Sequence, residues 1–295
     1  MSTSARLRVT WLEVFAEAPL EGTLHVVVHD ADAIGTATMA RLATRLRLPE
    51  TSYVQAPTGA KADYLHRIFT IAGEIPFAGH PSLGTAVAVA RAHGHLSTRL
   101  TQQTGAGLQE LRVDLDASGM TGTAEITQNP AEWLGEPAPD PVLAALGLRS
   151  DDRHPTLRSS VISTGLPTLI VPVRDVEALG RSAPDLEALG RALAAVGEGV
   201  LTCYVATPLT PDAWRARCFT PQVAGGEDPA TGSAAGPLTA FAYRELGAQE
   251  IVIDQAIELG SRSRLYGRVQ DERVVVSGGV RVIGEGSMDL PVLPG

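Results

Sequence analysis

The chain has 295 residues, 44% of them hydrophobic and 19% charged, and its 24 basic and 33 acidic side chains give a formal charge of −9. That length buries one large core or two ordinary ones, and the composition is that of a folded chain. The net charge, with no local Lys/Arg cluster to offset it, excludes nucleic acid as the partner. Two cysteines, Cys203 and Cys218, are too few for a disulfide framework and lack metal-type spacing, so both read as buried thiols. The amino terminus has no apolar signal core and no apolar run reaches bilayer length, so the expectation is a cytoplasmic protein with no membrane partner.

Along the chain, "TLHVVVHD" from Thr23 predicts a strand by its β-branched content. In "TATMARLATRLRL" from Thr36, Met39, Leu42 and Leu46 recur at three- and four-residue steps, which predicts an amphipathic helix lying on a sheet. "TSYV" from Thr51 follows as a strand. "SLGTAVAVARA" from Ser82 is apolar nearly all round and predicts a helix enclosed by the sheet. "NPAEWLGEPAPDP" from Asn129 breaks all periodicity and reads as a linker. Beyond it come a strand at "TLIVPV" from Thr168, a surface helix at "PDLEALGRALAAV" from Pro184, and a second enclosed helix at "SAAGPLTAFAY" from Ser233. "RVVVSGGVRVI" from Arg273 predicts a late strand.

These segments repeat. Thr23 matches Thr168 ("TLHVVVHD", "TLIVPVRD"), and Thr51 matches Thr202 ("TSYV", "TCYV"). Arg67 matches Arg217 ("RIFT", "RCFT"), and His80 matches Asp228 ("HPSLGTA", "DPATGSA"). The offsets are 145, 151, 150 and 148, in constant order. The expectation is two similar lobes, residues 1–128 with 285–295 and residues 129–284, with the active site in the cleft between them.

Positions where the copies differ are the candidates for chemistry. Glu50 precedes "TSYV" where Leu201 precedes "TCYV", and His80 stands where the second copy has Asp228. Pro81 and Pro229 suit helix entry, which places His80 and Asp228 near the caps of the enclosed helices. Converging helix amino termini, with the backbone from Gly79 to Gly84 and from Thr231 through Gly232 to Ser233, suit a small anionic substrate such as a carboxylate. Ser82, Thr85 and Ser233 are candidate hydroxyl donors. Pro237 is accommodated if it falls in the first helical turn. An imidazole oriented by a carboxylate shuttles protons near neutral pH, so Glu50, His80 and Asp228 are the candidate catalytic set.

At these residues the chain resembles the phenazine-biosynthesis (PhzF-like) isomerase family, within the diaminopimelate-epimerase fold. The motifs are "LPETSYV" from Leu48, "FTIAGEIPFAGHPSLGTA" from Phe69 and "EDPATGSAAGPL" from Glu227. The resemblance implies an α+β fold of two pseudo-symmetric, open barrel-like β domains, each wrapped around a central helix. It also implies no metal or organic cofactor, a homodimer, Glu50 as the proton-transferring acid, and His80, Asp228 and Ser233 lining the site. Where the family commonly has Gly-Asn-Pro, this chain has Gly22, Thr23 and Leu24, which weakens transfer of the phenazine substrate more than of the chemistry. No cysteine stands at either helix mouth, which disfavours a two-cysteine racemisation.

Rivals fare worse on spacing. Neither "GHPSLG" nor "TGSAAG" is a nucleophile elbow. His25 with His29, and His93 with His95, lack ligand partners at workable spacing and read as surface or packing histidines. No dinucleotide or phosphate-loop glycine pattern opens a strand-to-helix turn. An epimerase using Glu50 and His80 as its two bases, and a non-catalytic binder that kept the cleft, remain as alternatives to the isomerase.

Overall fold

A computed structural model describes residues 4–221, 223 and 225–292. Contacts divide the chain into a first lobe, running to Thr127 and resuming at Ser277, and a second lobe, Gln128–Val276. The first contains β1 (Ser4–Val14), β2 (Thr23–Val28), α1 (Thr36–Leu46), β3 (Thr51–Gln55), β4 (Tyr64–Thr70), β5 (Gly73–Ile75), α2 (Gly79–Ala92), β6 (Ser97–Thr104), β7 (Gly107–Leu115) and most of β8 (Thr121–Pro130). The second contains β9 (Glu132–Gly135), α3 (Asp140–Ala145), β10 (Ser160–Ser163), β11 (Pro167–Pro172), α4 (Val176–Arg181), α5 (Leu186–Val196), β12 (Thr202–Thr210), β13 (Ala213–Phe219), β14 (Glu227–Asp228), α6 (Gly232–Leu246), β15 (Glu250–Gln255) and β16 (Ser263–Gln270). Strand β17 (Arg273–Pro291) carries the chain back into the first lobe.

In the first lobe β1 pairs with β2 and with β17, β2 runs parallel to β3, and β4 links antiparallel β3 to parallel β6. β6, β7 and β8 continue as a meander. This sheet wraps α2, whose residues Gly79–Ala90 are all buried, as expected of a helix with no polar face. Close wrapping requires Gly84, where a Cβ would lie 2.9 Å from Val14 and 3.0 Å from His25. The amphipathic α1 lies outside the sheet, and its Met39, Leu42 and Ala43 cluster with Val26, Val28, Tyr53 and Phe69.

The second lobe repeats the plan: β11 runs parallel to β12, β13 links antiparallel β12 to parallel β15, and α6 is enclosed. Helices α3, α4 and α5 cover the outside, with Val142, Leu179, Leu189 and Leu193 packed on Leu169, Val171, Cys203, Val205 and Phe219. Asp175 and Asp185 cap α4 and α5 by accepting from Ala178 and Ala188 N–H.

Three local expectations change. The proposed linker is part of the fold, since Trp133 and Glu132 of β9 pair with Ile162 and Ser163 of β10. Pro237 is the sixth residue of α6, beyond the first turn, where its missing N–H leaves the Ser233 carbonyl without the usual helical donor.

The third change concerns the "TSYV"/"TCYV" match, which slips by one residue. Arg67 pairs with Tyr53, whereas Arg217 pairs with Val205. Tyr53 therefore turns outward, donating to the Met39 carbonyl at 2.7 Å, while Tyr204 turns inward, donating to Gln255 Oε1 at 2.8 Å. A one-residue slip in a strand exchanges its faces, and local identity cannot detect it. By register the counterpart of Glu50 is Thr202, not Leu201, and the counterpart of Thr168 is His25, not Thr23, so that match is displaced as well.

Candidate active site

Ala78 caps α2 without a side-chain hydrogen bond, His80 is its second residue and Pro81 its third. Glu50 stands one residue before β3, where the parallel β2–β3 pair delivers the chain beside the start of α2. The result is a contact of 3.1 Å between Glu50 Oε2 and His80 Nε2, with the histidine 3% and the glutamate 13% exposed. A carboxylate and an imidazole held this way can exchange one proton, and the partial exposure of Glu50 leaves it access to a substrate.

Behind this pair the interior of the first lobe is polar. The His25 ring meets the His80 ring edge to face at 5.4 Å between centroids. His25 Nε2 lies 2.9 Å from Ser52 Oγ, which lies 2.7 Å from His66 Nε2, and His66 Nδ1 lies 2.9 Å from Gln102 Oε1. Gln102 Nε2 then donates to Ser82 Oγ at 2.9 Å. Desolvation lowers the pKa of His66 to about 4 and holds His25 well below the ordinary imidazole range, His80 and His66 adding to the effect on His25.

Sequence reasoning treated His25 as packing and did not single out Ser52, His66 or Gln102. Their signal was an inward-facing polar residue on each of four successive barrel strands, which a search by spacing within one segment cannot find. Ser82 is enclosed by the same network: its N–H and its hydroxyl both donate to the Ala78 carbonyl, leaving neither donor for a substrate. Thr85 lies on the same side, 3.2 Å from His66 Nε2.

In the second lobe Asp228 lies on β14, before α6 begins, and Thr231 is the N-cap. Thr231 Oγ1 donates to Asp228 Oδ2 at 2.7 Å instead of capping the helix, and Ala230 N–H reaches Asp228 Oδ1 at 3.3 Å. Gln255 Nε2 donates to the Asp228 carbonyl at 2.6 Å and to Thr231 Oγ1 at 3.0 Å. The Gly232 carbonyl accepts from Gln128 at 2.9 Å. Gly232 and Ser233 form the first turn of α6, where N–H groups have no intrahelical acceptor and favour an anion. The structure thus unites Glu50 with His80, and Asp228 with Thr231. Cys203 and Cys218 are buried in β12 and β13. Burial pushes both thiols up, and Asp228 adds to the effect on Cys218. Among the described residues no helix is long and apolar enough to cross a membrane.

Residues 12–286 match the profile of the family described as phenazine biosynthesis-like protein. The chain is 34% identical over 289 residues to the trans-2,3-dihydro-3-hydroxyanthranilate isomerase of Pseudomonas chlororaphis, covering 95% of this chain and 98% of that one. It is 33% identical to the enzyme of the same name from Pseudomonas aeruginosa, covering 95% and 96%. Among solved structures it is similar to a Pseudomonas aeruginosa protein named a predicted epimerase, with 32% identity, a TM-score of 0.83 and coverage of 96% and 99%. A hydroxyproline epimerase from Agrobacterium vitis, 13% identical with a TM-score of 0.66, shares the fold.

Proposed function

The chain belongs to the phenazine biosynthesis-like family and is an isomerase, and on that premise we propose that it moves a proton between two carbons of a small carboxylic acid, with Glu50 as the group that takes and returns it. The observation that carries this reading is the 3.1 Å contact of Glu50 with His80 at the start of α2. Glu50 accepts the proton as the carbon–hydrogen bond breaks, the electron pair shifts along the substrate's conjugated system, and the same carboxyl delivers the proton at the other end. Protons and electrons balance within the substrate, so the reaction needs no redox partner, and the reading includes no cofactor.

His80 supports this as an imidazole 3.1 Å from the carboxylate, close enough to stabilise its charge electrostatically. We assign the substrate carboxylate to the backbone N–H groups at the start of α2, Gly79 among them, beside Glu50 and His80. The named reaction of the Pseudomonas relatives, on a hydroxyanthranilate, supports a carboxylic-acid substrate. The reading also includes a homodimer in the cytoplasm, checked by sedimentation and by cell fractionation.

The test is deuterium incorporation from heavy water into a panel of cyclic and amino-bearing carboxylic acids. The wild-type protein should label at least one of them. Glu50→Gln should keep its binding and lose about 10²- to 10⁴-fold in exchange rate, the range a positioned acid–base group supplies. Exchange at full rate in Glu50→Gln would end the assignment.

A further inference from the structure

The first lobe contains a hydrogen-bond chain whose direction can be deduced from one end to the other. Ser82 Oγ–H is committed to the Ala78 carbonyl at 2.8 Å, so Ser82 can only accept from Gln102, which fixes the Gln102 amide with Nε2 toward Ser82 and Oε1 toward His66. His66 must then donate from Nδ1. An uncharged His66 has an unprotonated Nε2, which takes the Ser52 hydroxyl proton at 2.7 Å, a shorter contact than the 3.2 Å to Thr85. Ser52, having spent its proton, accepts from His25 Nε2–H at 2.9 Å. His25 Nδ1 is left as a lone pair, buried and with no hydrogen-bond partner among the described residues.

We propose that His25, Ser52, His66 and Gln102 are positioning residues that hold His25 as an uncharged Nε2–H imidazole, so that a proton entering this interior resides on His80 beside Glu50. Two imidazoles with centroids 5.4 Å apart in a desolvated interior cannot both be charged, and the chain decides between them. Protonating His66 at Nε2 would turn the Ser52 proton onto His25 Nε2–H, a donor facing a donor. Protonating His25 would place an N–H where it has no acceptor.

Among the described residues, the buried titratable groups on the strands facing α2 are His25, His66 and Tyr64, with Tyr53 turned outward to the Met39 carbonyl and Glu50 at the entry to β3. Glu13 of β1 instead accepts from the Leu20 N–H. The fold itself does not require this chain. By strand register, the places of His25, Ser52, His66 and Gln102 are held in the second lobe by Thr168, Tyr204, Ala216 and Ile253, with no histidine among them.

The proposal rests on the assignment of Glu50 and His80 to proton transfer, yet it is measured without substrate. Long-range nitrogen–proton NMR of the imidazoles in the free protein should show His25 solely as Nε2–H and His66 solely as Nδ1–H from about pH 5 to 8, with any imidazolium signal from this interior belonging to His80. Ser52→Ala removes the block on both inner histidines. It should make their tautomers mixed and lower the His80 midpoint by about half a pH unit or more, and Ser52→Thr should restore both. Gln102→Ile, which copies the second lobe, should reproduce the loss even if Ser52→Ala does not fold. A His25 that is charged or Nδ1-protonated in the wild-type protein overturns the proposal. So does a His80 midpoint that stays put in a folded Ser52→Ala or Gln102→Ile variant. Absent deuterium exchange alongside the expected wild-type spectra would overturn the functional reading alone.

Discussion

The two lobes solve the same packing problem with different interiors. Each wraps a sheet around a helix of small residues, and each braces an Arg–Glu pair on its "RIFT" or "RCFT" strand. Around the start of α2 the inward polar groups include the imidazoles of His25 and His66, which burial holds below the ordinary imidazole range. Around α6 they are Tyr204, Gln255 and Thr231. The Tyr204 hydroxyl is pushed well above its ordinary value by burial, and the other two do not ionise. The difference teaches that one packing plan tolerates two kinds of polar interior, one built on buried imidazoles and one whose hydrogen bonds come from a tyrosine, an amide and a hydroxyl.

That contrast predicts acid sensitivity located in the first lobe. His29 donates to or accepts from Thr10 at 2.8 Å, and desolvation lowers its pKa to about 4, as it does for His66. Both groups are uncharged in the fold, whereas unfolded imidazoles take a proton below about 6.5. The stability they hold is complete above that value and is lost as the pH falls from 6.5 toward 4. At pH 5 each costs about 2 kcal/mol, about 4 kcal/mol together, and His25 shifts in the same direction. Urea unfolding at pH 7.5 and pH 5 should show this loss, and His29→Gln should recover part of it. Acid unfolding that begins at amides of the second lobe, followed by hydrogen exchange, would break the comparison.

The arginine pairs sharpen it from the other side. Arg217 lies 2.7 Å from Glu227 with side chains 8% and 9% exposed, and it also donates to the Ser182 carbonyl at 2.8 Å. Arg67 lies 2.6 Å from Glu74, but those side chains are 20% and 40% exposed. Removing one partner of a buried pair strands the other charge. Arg217→Ala should therefore cost about 3–5 kcal/mol, and Arg67→Ala about 1 kcal/mol or less. Paired thermal melts of the two variants check the ratio. Equal losses would show that the pairs differ in exposure without differing in consequence.

How much of this was legible in the sequence depended on the range of each signal. The α1 stripe of Met39 and Leu42, the all-round apolar α2 and α6, and the two-copy repeat are patterns within one segment or between copies, and they gave two lobes, each with a helix enclosed by its sheet, while the α+β fold class came with the family resemblance. Glu50 and His80 were legible because the copies differ there. The His25–Ser52–His66–Gln102 chain was not, because its members lie on four strands and become neighbours only through strand pairing. The same cause hid the slip between "TSYV" and "TCYV". Proline and acid content made residues 129–141 read as a linker, although the backbone of β9 still finds a partner in β10.

The smallest expected effect has opposite signs in the two lobes. Gly84 lies within the buried α2, where an added Cβ would stand 2.9 Å from Val14 and 3.0 Å from His25. Neither neighbour can retreat, since Val14 is paired in β1 and His25 is tied to Ser52. Gly84→Ala should then cost about 1–3 kcal/mol through overpacking. Gly190 lies within α5 on the outside of the second lobe, and its added Cβ would meet only Pro221 at 3.7 Å, an ordinary contact. There the helical preference of alanine dominates, and Gly190→Ala should stabilise by about 0.4–1 kcal/mol. If Gly84→Ala also stabilised the protein, the wrapping of α2 would be looser than these distances require. The close approach of His25 to the helix, on which the hydrogen-bond chain depends, would fail with it.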